Sequence, residues 1–410
     1  MPALLWLLSL QLAAQDWSLQ VEQITFGPKH HVFGYIGHVR NMAFNGDGRY
    51  IVSLRMDFQN RMPKADDAAE IVLIDTKNGY RESIIDRTRA WNFQQGTMFY
   101  WNPKMPKTEL IFNDRDPQTG KVFAVLFDIA KMKRIREYRY DDTPFGNSGV
   151  AQNGGSFLGI NYGRLAKLRP VTGYPESFDW TGDTDNAPEN DGVFIADITT
   201  GQKRLLVSFK QLADVIRPVR PDVDTMPLFI NHTLWSRTDA RIYFFVRGSF
   251  EVKGKRIDIP FTIHPDGTGL TMHSQHIGGH PEWESATGII GSVGGKQVIY
   301  DVDKKEVVEV LGDGDTFPEP GGDVALSPDS KWLVNGYRKG HSNYYIVYRR
   351  ADKSWKTTEG YPHPGRTSGE LRVDAAPTWN RTSDAILFPA VDPSDDSRQL
   401  FLLRIQTAKK

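Results

Sequence analysis

The sequence contains no cysteine, so disulfides, thiolate nucleophiles and thiolate metal ligands are all excluded. Neither charge is in excess, since 50 Lys and Arg balance 50 Asp and Glu. That balance argues against nucleic acid as the main partner, because phosphate binding draws on a basic surplus. No stretch approaches the ~20 apolar residues of a membrane-spanning helix. The run from Leu4 to Ala14 is too short, and it ends in small residues before Gln15 and Asp16. That shape predicts an export leader over 1–15 and a secreted or periplasmic protein over 16–410. Helical periodicity is scarce as well: only SFKQLADVIRPV, 208–219, reads as a helix. The 410 residues are otherwise of ordinary globular composition, 39% hydrophobic and 24% charged, enough for a sizeable core.

What the chain does have is a repeat. LWSRTDARIYFF (Trp235) has six relatives: MAFNGDGRYIV (Phe44), FYWNPKMPKTELIF (Trp101), GVAQNGGSFLGI (Ala151), PEWESATGII (Trp283), VALSPDSKWLV (Leu326) and PTWNRTSDAILF (Trp379). Each joins an apolar anchor to a polar turn and a short β-rich run. Anchor spacings are 57, 50, 84, 48, 43 and 53 residues. Second strands such as EIVLIDTKNG and FAVLFDIAKMK alternate with the first. Dense short strands at a period near 50 residues predict an all-β fold, a seven-bladed β-propeller of four-stranded antiparallel blades. The segment LQVEQITFG (19–27) is expected to pair with the last blade and close the ring. The chain is expected to act as a monomer. The long spacing holds an insertion at 162–192 with no strand pattern, which reads as a binding loop through Tyr162, Arg164, Lys167 and Arg169.

Residues just before an anchor fall near the channel mouth of a propeller, so equal offsets converge. Three residues before the anchors stand Asn41, Met98, Ser148, His232, His280, Asp323 and Ala376. His232, His280 and Asp323, with Asp374 from blade seven, make a candidate divalent-metal site of imidazole and carboxylate ligands. Each could equally cap its own turn. The same mouth collects Asn92, Gln94 and Gln95, then Tyr337, Arg338 and His341, then His363, Arg366 and Arg372. Arg366 and Arg372 could clamp a carboxylate bidentately.

NHTLWS, GGHPEW and RVDAAPTW carry a resemblance to oligogalacturonate lyases, and more loosely to other propeller polysaccharide lyases and Tol-type propellers. It extends over most of the chain at the level of blade architecture and short motifs. It implies a metal at the mouth, typically manganese, held by histidines and a glutamine, and an acidic oligosaccharide or polysaccharide as partner. His280 in GGHPEW is similar to one family ligand. In blade seven the family's two histidines and glutamine are replaced by Asp374, Ala376 and Leu371. The resemblance implies β-elimination at a uronic acid, with His232 as first candidate base and His341 or Tyr162 behind it. A metal, or Arg366 and Arg372, would neutralise the enolate, and the insertion would hold the rest of the glycan.

Two other functions fit the same residues. Asp323 and Asp374 could be the carboxylate pair of a glycoside hydrolase. A propeller can also be a non-catalytic platform for glycan or protein, since fold alone does not set function.

Overall fold

A computed structural model describes residues 17–34, 41–182, 185–249, 252 and 254–407. The expected leader at 1–15 lies outside the described residues. The strands form five separate four-stranded sheets and one nine-stranded sheet. The expectation of seven separate blades is thus met by five; the remaining strands run together through a single parallel bridge, His280 to Asp323. Elsewhere the strand pairing is antiparallel, and in the five separate sheets the strands follow one another in chain order, apart from the closing strand. Two short α-helices interrupt the pattern. Phe209–Ile216 falls inside the expected helix and starts from a capping box of Ser208 and Gln211. Tyr162–Leu168, capped by Asn161, occupies the insertion that reads as structureless.

The ring closes as expected. Trp17–Gln23 pairs with the end of Ser397–Thr407, from Trp17 opposite Thr407 to Gln23 opposite Phe401. The N-terminal strand therefore completes a sheet whose other three strands come from the C-terminus. Trp17 is 3% exposed, packs edge-on to Trp332 at 4.9 Å and donates its indole N–H to Ser354.

The anchors acquire a physical role. Trp101, Trp235, Trp283 and Trp379 are buried, and each donates its indole N–H to a backbone carbonyl of the preceding sheet. The acceptors are Ala43 at 2.9 Å, Gly149 at 3.1 Å, Leu234 at 2.8 Å and Ala325 at 2.9 Å. Where the anchor is not tryptophan, other polar groups make the link. Asn147 and Asn113 bond reciprocally, and Asn147 reaches Met98 O. Glu282 accepts Leu326 N–H and a nearly buried Arg237. Arg381 donates to Phe44 O, which joins the last sheet to the first. A closed circle of β-sheets, each bonded to the next, is the β-propeller expected from the repeat.

The insertion packs down over part of the mouth. Arg164 is buried and spends its guanidinium on Leu228 O, Thr181 and the carbonyls of Asp185 and Asn186. Asn161 donates to both Asp179 and Asp191. Asp191 is fully buried, and burial pushes its carboxyl up to about 7 against the opposing pull of Asn161 and Arg164.

Trp17→Ala should destabilise the protein by about 3–5 kcal/mol, measured by denaturant unfolding, because it empties an aromatic site at the closing strand. A carboxyl raised in the folded state binds its proton more tightly than the unfolded chain does. Stability should therefore fall as pH rises from about 4 through 7, by up to roughly 4 kcal/mol from Asp191. Asp191→Asn should flatten that slope in unfolding curves taken at pH 5 and pH 8.

Candidate functional site

Two glycine doublets build the centre of the mouth. Gly278-Gly279-His280 opens one innermost strand, Gly278–Trp283, and Gly321-Gly322-Asp323 opens the next, Asp323–Leu326. Gly279 has a φ of 79°, and a Cβ there would collide with the carbonyl oxygen of Gly321. Without side chains the two backbones come close enough for His280 N–H to reach Gly322 O at 3.3 Å. The same approach sets His280 opposite Asp323 in the parallel bridge, and His280 Nδ1 bonds Asp323 Oδ1. Asp323 Oδ2 accepts the backbone N–H of Ala376 at 2.7 Å. Ala376 holds a φ of 44°, strained for a residue with a side chain, and that conformation brings its N–H to the carboxylate.

The pair is electrostatically coupled. Burial lowers the His280 pKa, but the charge and hydrogen bond of Asp323 outweigh it, so His280 stands above the usual histidine value. Burial likewise opposes ionisation of Asp323, yet His280, Ala376 N–H and the nearby Arg372 hold it below the usual carboxylate range. The His280 side chain keeps 32% exposure while Asp323 keeps 9%. This is a histidine oriented by a carboxylate at one ring nitrogen, in reach of the mouth.

His232 lies beside it. The strand Leu228–Trp235 changes register between Ile230 and Thr233, and this bulge carries Asn231 and His232. The rings of His232 and His280 are 5.5 Å apart, tilted at 55°. The offset argument therefore brings His232, His280 and Asp323 to one place. Met98 and Ser148 at the same offset are buried, the latter bonded to Thr233.

Three of the four expected metal ligands already hold protein partners. Both oxygens of Asp323 are engaged, and Asp374 accepts Arg372 Nε at 2.8 Å with Arg338 at 3.6 Å. Among the described residues no group of three His, Asp or Glu side chains is disposed to hold a cation.

Several expected ligand contacts are instead structural. Asn92 is fully buried, with its amide on Thr172 O and Gly173 O and its oxygen on the N–H groups of Gln94 and Gln95. Gln94 reaches Arg372 O and Gln95 reaches Asn231 O, so this loop crosses the mouth as a strut. Tyr162 is not placed as a base: it is buried in a stack with Tyr174 at 4.2 Å, donates to Asn147 O, and burial raises its hydroxyl well above the tyrosine range. Lys167 pairs with Asp179 at 3.2 Å, and Arg169 is half-buried at the helix end, where its backbone caps Leu165 O. With Arg164 also spent, the insertion is a packed cover rather than a loop of available cations.

The proposed arginine clamp does not form either. Arg366 forks onto Asp396 at 2.6 Å on both oxygens, whereas Arg372 serves Asp374. His341 is exposed at a turn, where its carbonyl accepts His363 N–H. His363 is fully buried, and burial, together with Arg338, Arg398 and Arg366, pushes it down to about 3. Tyr337 and Arg338 do face the mouth: they line an open polar cavity of about 240 Å³ with Glu319, Asp323, Asn343 and Asp374.

The sequence reading missed the backbone of Ala376, Glu319 and Asn343. The second glycine doublet, in PGGDVAL, matches the one in GGHPEW and is the signal in the sequence that marks the close approach.

Fold and mouth together define a β-propeller with a carboxylate-oriented histidine at its channel. No family model matches the chain. Two curated proteins are similar to part of it, the Pup--protein ligases of Corynebacterium glutamicum strain R and strain ATCC 13032. Each is 25% identical over 193 residues, 47% of this chain and 37% of the relative, so the match spans little more than a third of those relatives' length. Among solved structures, the β-propeller domain of Cps50 (Swd1) from Myceliophteria thermophila covers 95% of this chain and 100% of its own, at 12% identity and a TM-score of 0.49. These likenesses transfer no activity to the chain.

The coupled pair has a measurable signature. In Asp323→Asn, burial acts on His280 without its counter-charge, and its pKa should drop below the ordinary value, read by NMR titration of the histidine ring protons. The stability this pair confers should be fully present between about pH 4 and ~6.5, be lost as pH rises through the raised pKa of His280, and be lost as pH falls through the lowered pKa of Asp323. An unchanged titration in the variant would mean that the two side chains are not coupled.

Proposed function

We propose that the protein is a carbohydrate-active propeller that cleaves uronate-containing glycans by β-elimination, with His280 and Asp323 as its proton-transfer centre. The carboxylate-oriented His280 at the mouth carries this reading. Asp323 fixes the ring through Nδ1, which makes Nε2 the nitrogen that exchanges protons with substrate. His280 takes the proton beside the uronate carboxylate, so the C–H bond breaks and an enolate forms. As the double bond forms, the C–O bond on the neighbouring carbon breaks and the leaving oxygen receives a proton from the imidazolium or from His232. Arg372, close enough to act on both members of the pair, offsets the enolate charge.

The nine-stranded sheet is read as two blades that meet at the His280–Asp323 bridge, which brings the count to seven. Its strand order supports this, with four strands on each side of the bridge and a short addition at Tyr361–Pro362. Glycoside hydrolysis by Asp323 and Asp374 is the weaker alternative, because both carboxylates already serve protein partners. Purified protein incubated with uronate polysaccharides should release unsaturated uronate, seen as new ultraviolet absorbance. His280→Asn should lower that rate by about 10²-fold or more in a protein that stays folded at the assay temperature, checked by circular dichroism. If no uronate polysaccharide yields unsaturated product, the lyase reading falls.

A further inference from the structure

Arg398 carries a charge that the side chains around it leave uncompensated. It sits on the closing sheet's strand Ser397–Thr407 at 2% exposure and makes no ion pair among the described residues. Its Nη groups donate to Phe93 O at 3.4 Å and Leu371 O at 3.0 Å, and its guanidinium stands 4.8 Å from the Phe93 ring centre. Its Nε is buried without a partner among the described residues. Burial, helped by Arg366 and opposed by Asp374, pushes its pKa down to about 9, so it remains a cation at neutral pH. A buried charge met only by carbonyls and a ring is costly, and protein interiors pair such charges.

The neighbouring charges do not supply the pair. Asp374, the carboxylate that acts on Arg398, is already shared by Arg372 at 2.8 Å and Arg338 at 3.6 Å. Arg366 is matched by Asp396. Around Asp374, three guanidiniums thus stand against one carboxylate. The surplus is felt at the fully buried His363, which burial and then Arg338, Arg398 and Arg366 hold neutral.

Arg398 also lines a cavity of about 20 Å³ between the first and last sheets, with Gln94, Asp374 and Ala376 on the same wall. Much of the rest is apolar, from Val32, Phe93, Leu387 and Leu400. That volume takes about one or two water-sized occupants, too little for a sugar ring or a phosphate. Gln94 Oε1, likewise buried without a partner among the described residues, is an acceptor that one water can serve. An apolar wall penalises a strongly hydrated ion more than a weakly hydrated one, because the first gives up more solvation.

We propose that this cavity binds one weakly hydrated monatomic anion, chloride or bromide, on the Arg398 guanidinium. The anion completes the charge balance and steadies the arginine that holds Leu371 O at the mouth. The site does not depend on the lyase reading.

The test is thermal unfolding of the full-length protein as chloride or bromide replaces fluoride at constant total salt. The midpoint should rise by about 1–2 °C for each tenfold increase in chloride or bromide once the site fills. General salt effects run the other way, since strongly hydrated anions are the stabilising ones. Arg398→Gln should abolish the rise. Crystals of the unaltered protein in bromide should show anomalous density within hydrogen-bonding reach of Arg398, a result that stands even if the variant does not fold. A midpoint indifferent to the halide overturns the proposal, as does the same rise in Arg398→Gln, or water alone in the cavity under bromide. Bromide density without the solution effect is binding at crystal concentration only, and overturns it too.

Discussion

The antiparallel pairing of Trp17–Gln23 with Ser397–Thr407 fixes the geometry of the ring. Both ends of the described chain are held in one sheet, so the chain between them must make a closed circuit. Within that circuit each sheet is tied to the one before it by a side chain reaching a backbone carbonyl or amide, most often an anchor tryptophan. The ties explain why tryptophan recurs: it fills the space between sheets and carries one N–H at a fixed distance from its ring. Residues far apart in sequence, 232, 280, 323 and 374, therefore meet at one level because the ring leaves them no other place.

At that level the decisive constraint changes from apolar packing to close backbone approach. Two glycine doublets let neighbouring strands touch, and the contact orients an imidazole by a carboxylate. Burial alone would strip the charge from both groups. Each keeps it because the other is present, and because the strained backbone of Ala376 supplies a second donor to Asp323. Arg372, near the pair, is bonded to Asp374, which lines the adjoining cavity together with Arg338. The insertion and the loop through Gln94 and Gln95 cover other parts of the opening with satisfied polar groups.

Much of this was legible in the chain. The repeat, the ring-closing segment, the helix near 209–216 and the convergence of His232, His280 and Asp323 all follow from periodicity and offset, which are local properties. The roles of individual polar side chains were not. Arg164, Asn92 and Tyr162 look like available ligand contacts in the sequence, yet the fold buries them and assigns their donors to backbone carbonyls. Arg366 and Arg372 look like a clamp until Asp396 and Asp374 claim one each.

The sequence by itself determined the class of fold and the level at which chemistry can occur, because turn residues, strand alternation and anchor spacing act over short stretches. Only the tertiary structure decided which polar groups remain available there. A hydrogen bond is made or withheld by partners far along the chain, 53 residues apart for Ala376 and Asp323 and 136 for Gln95 and Asn231, and no local pattern records that choice.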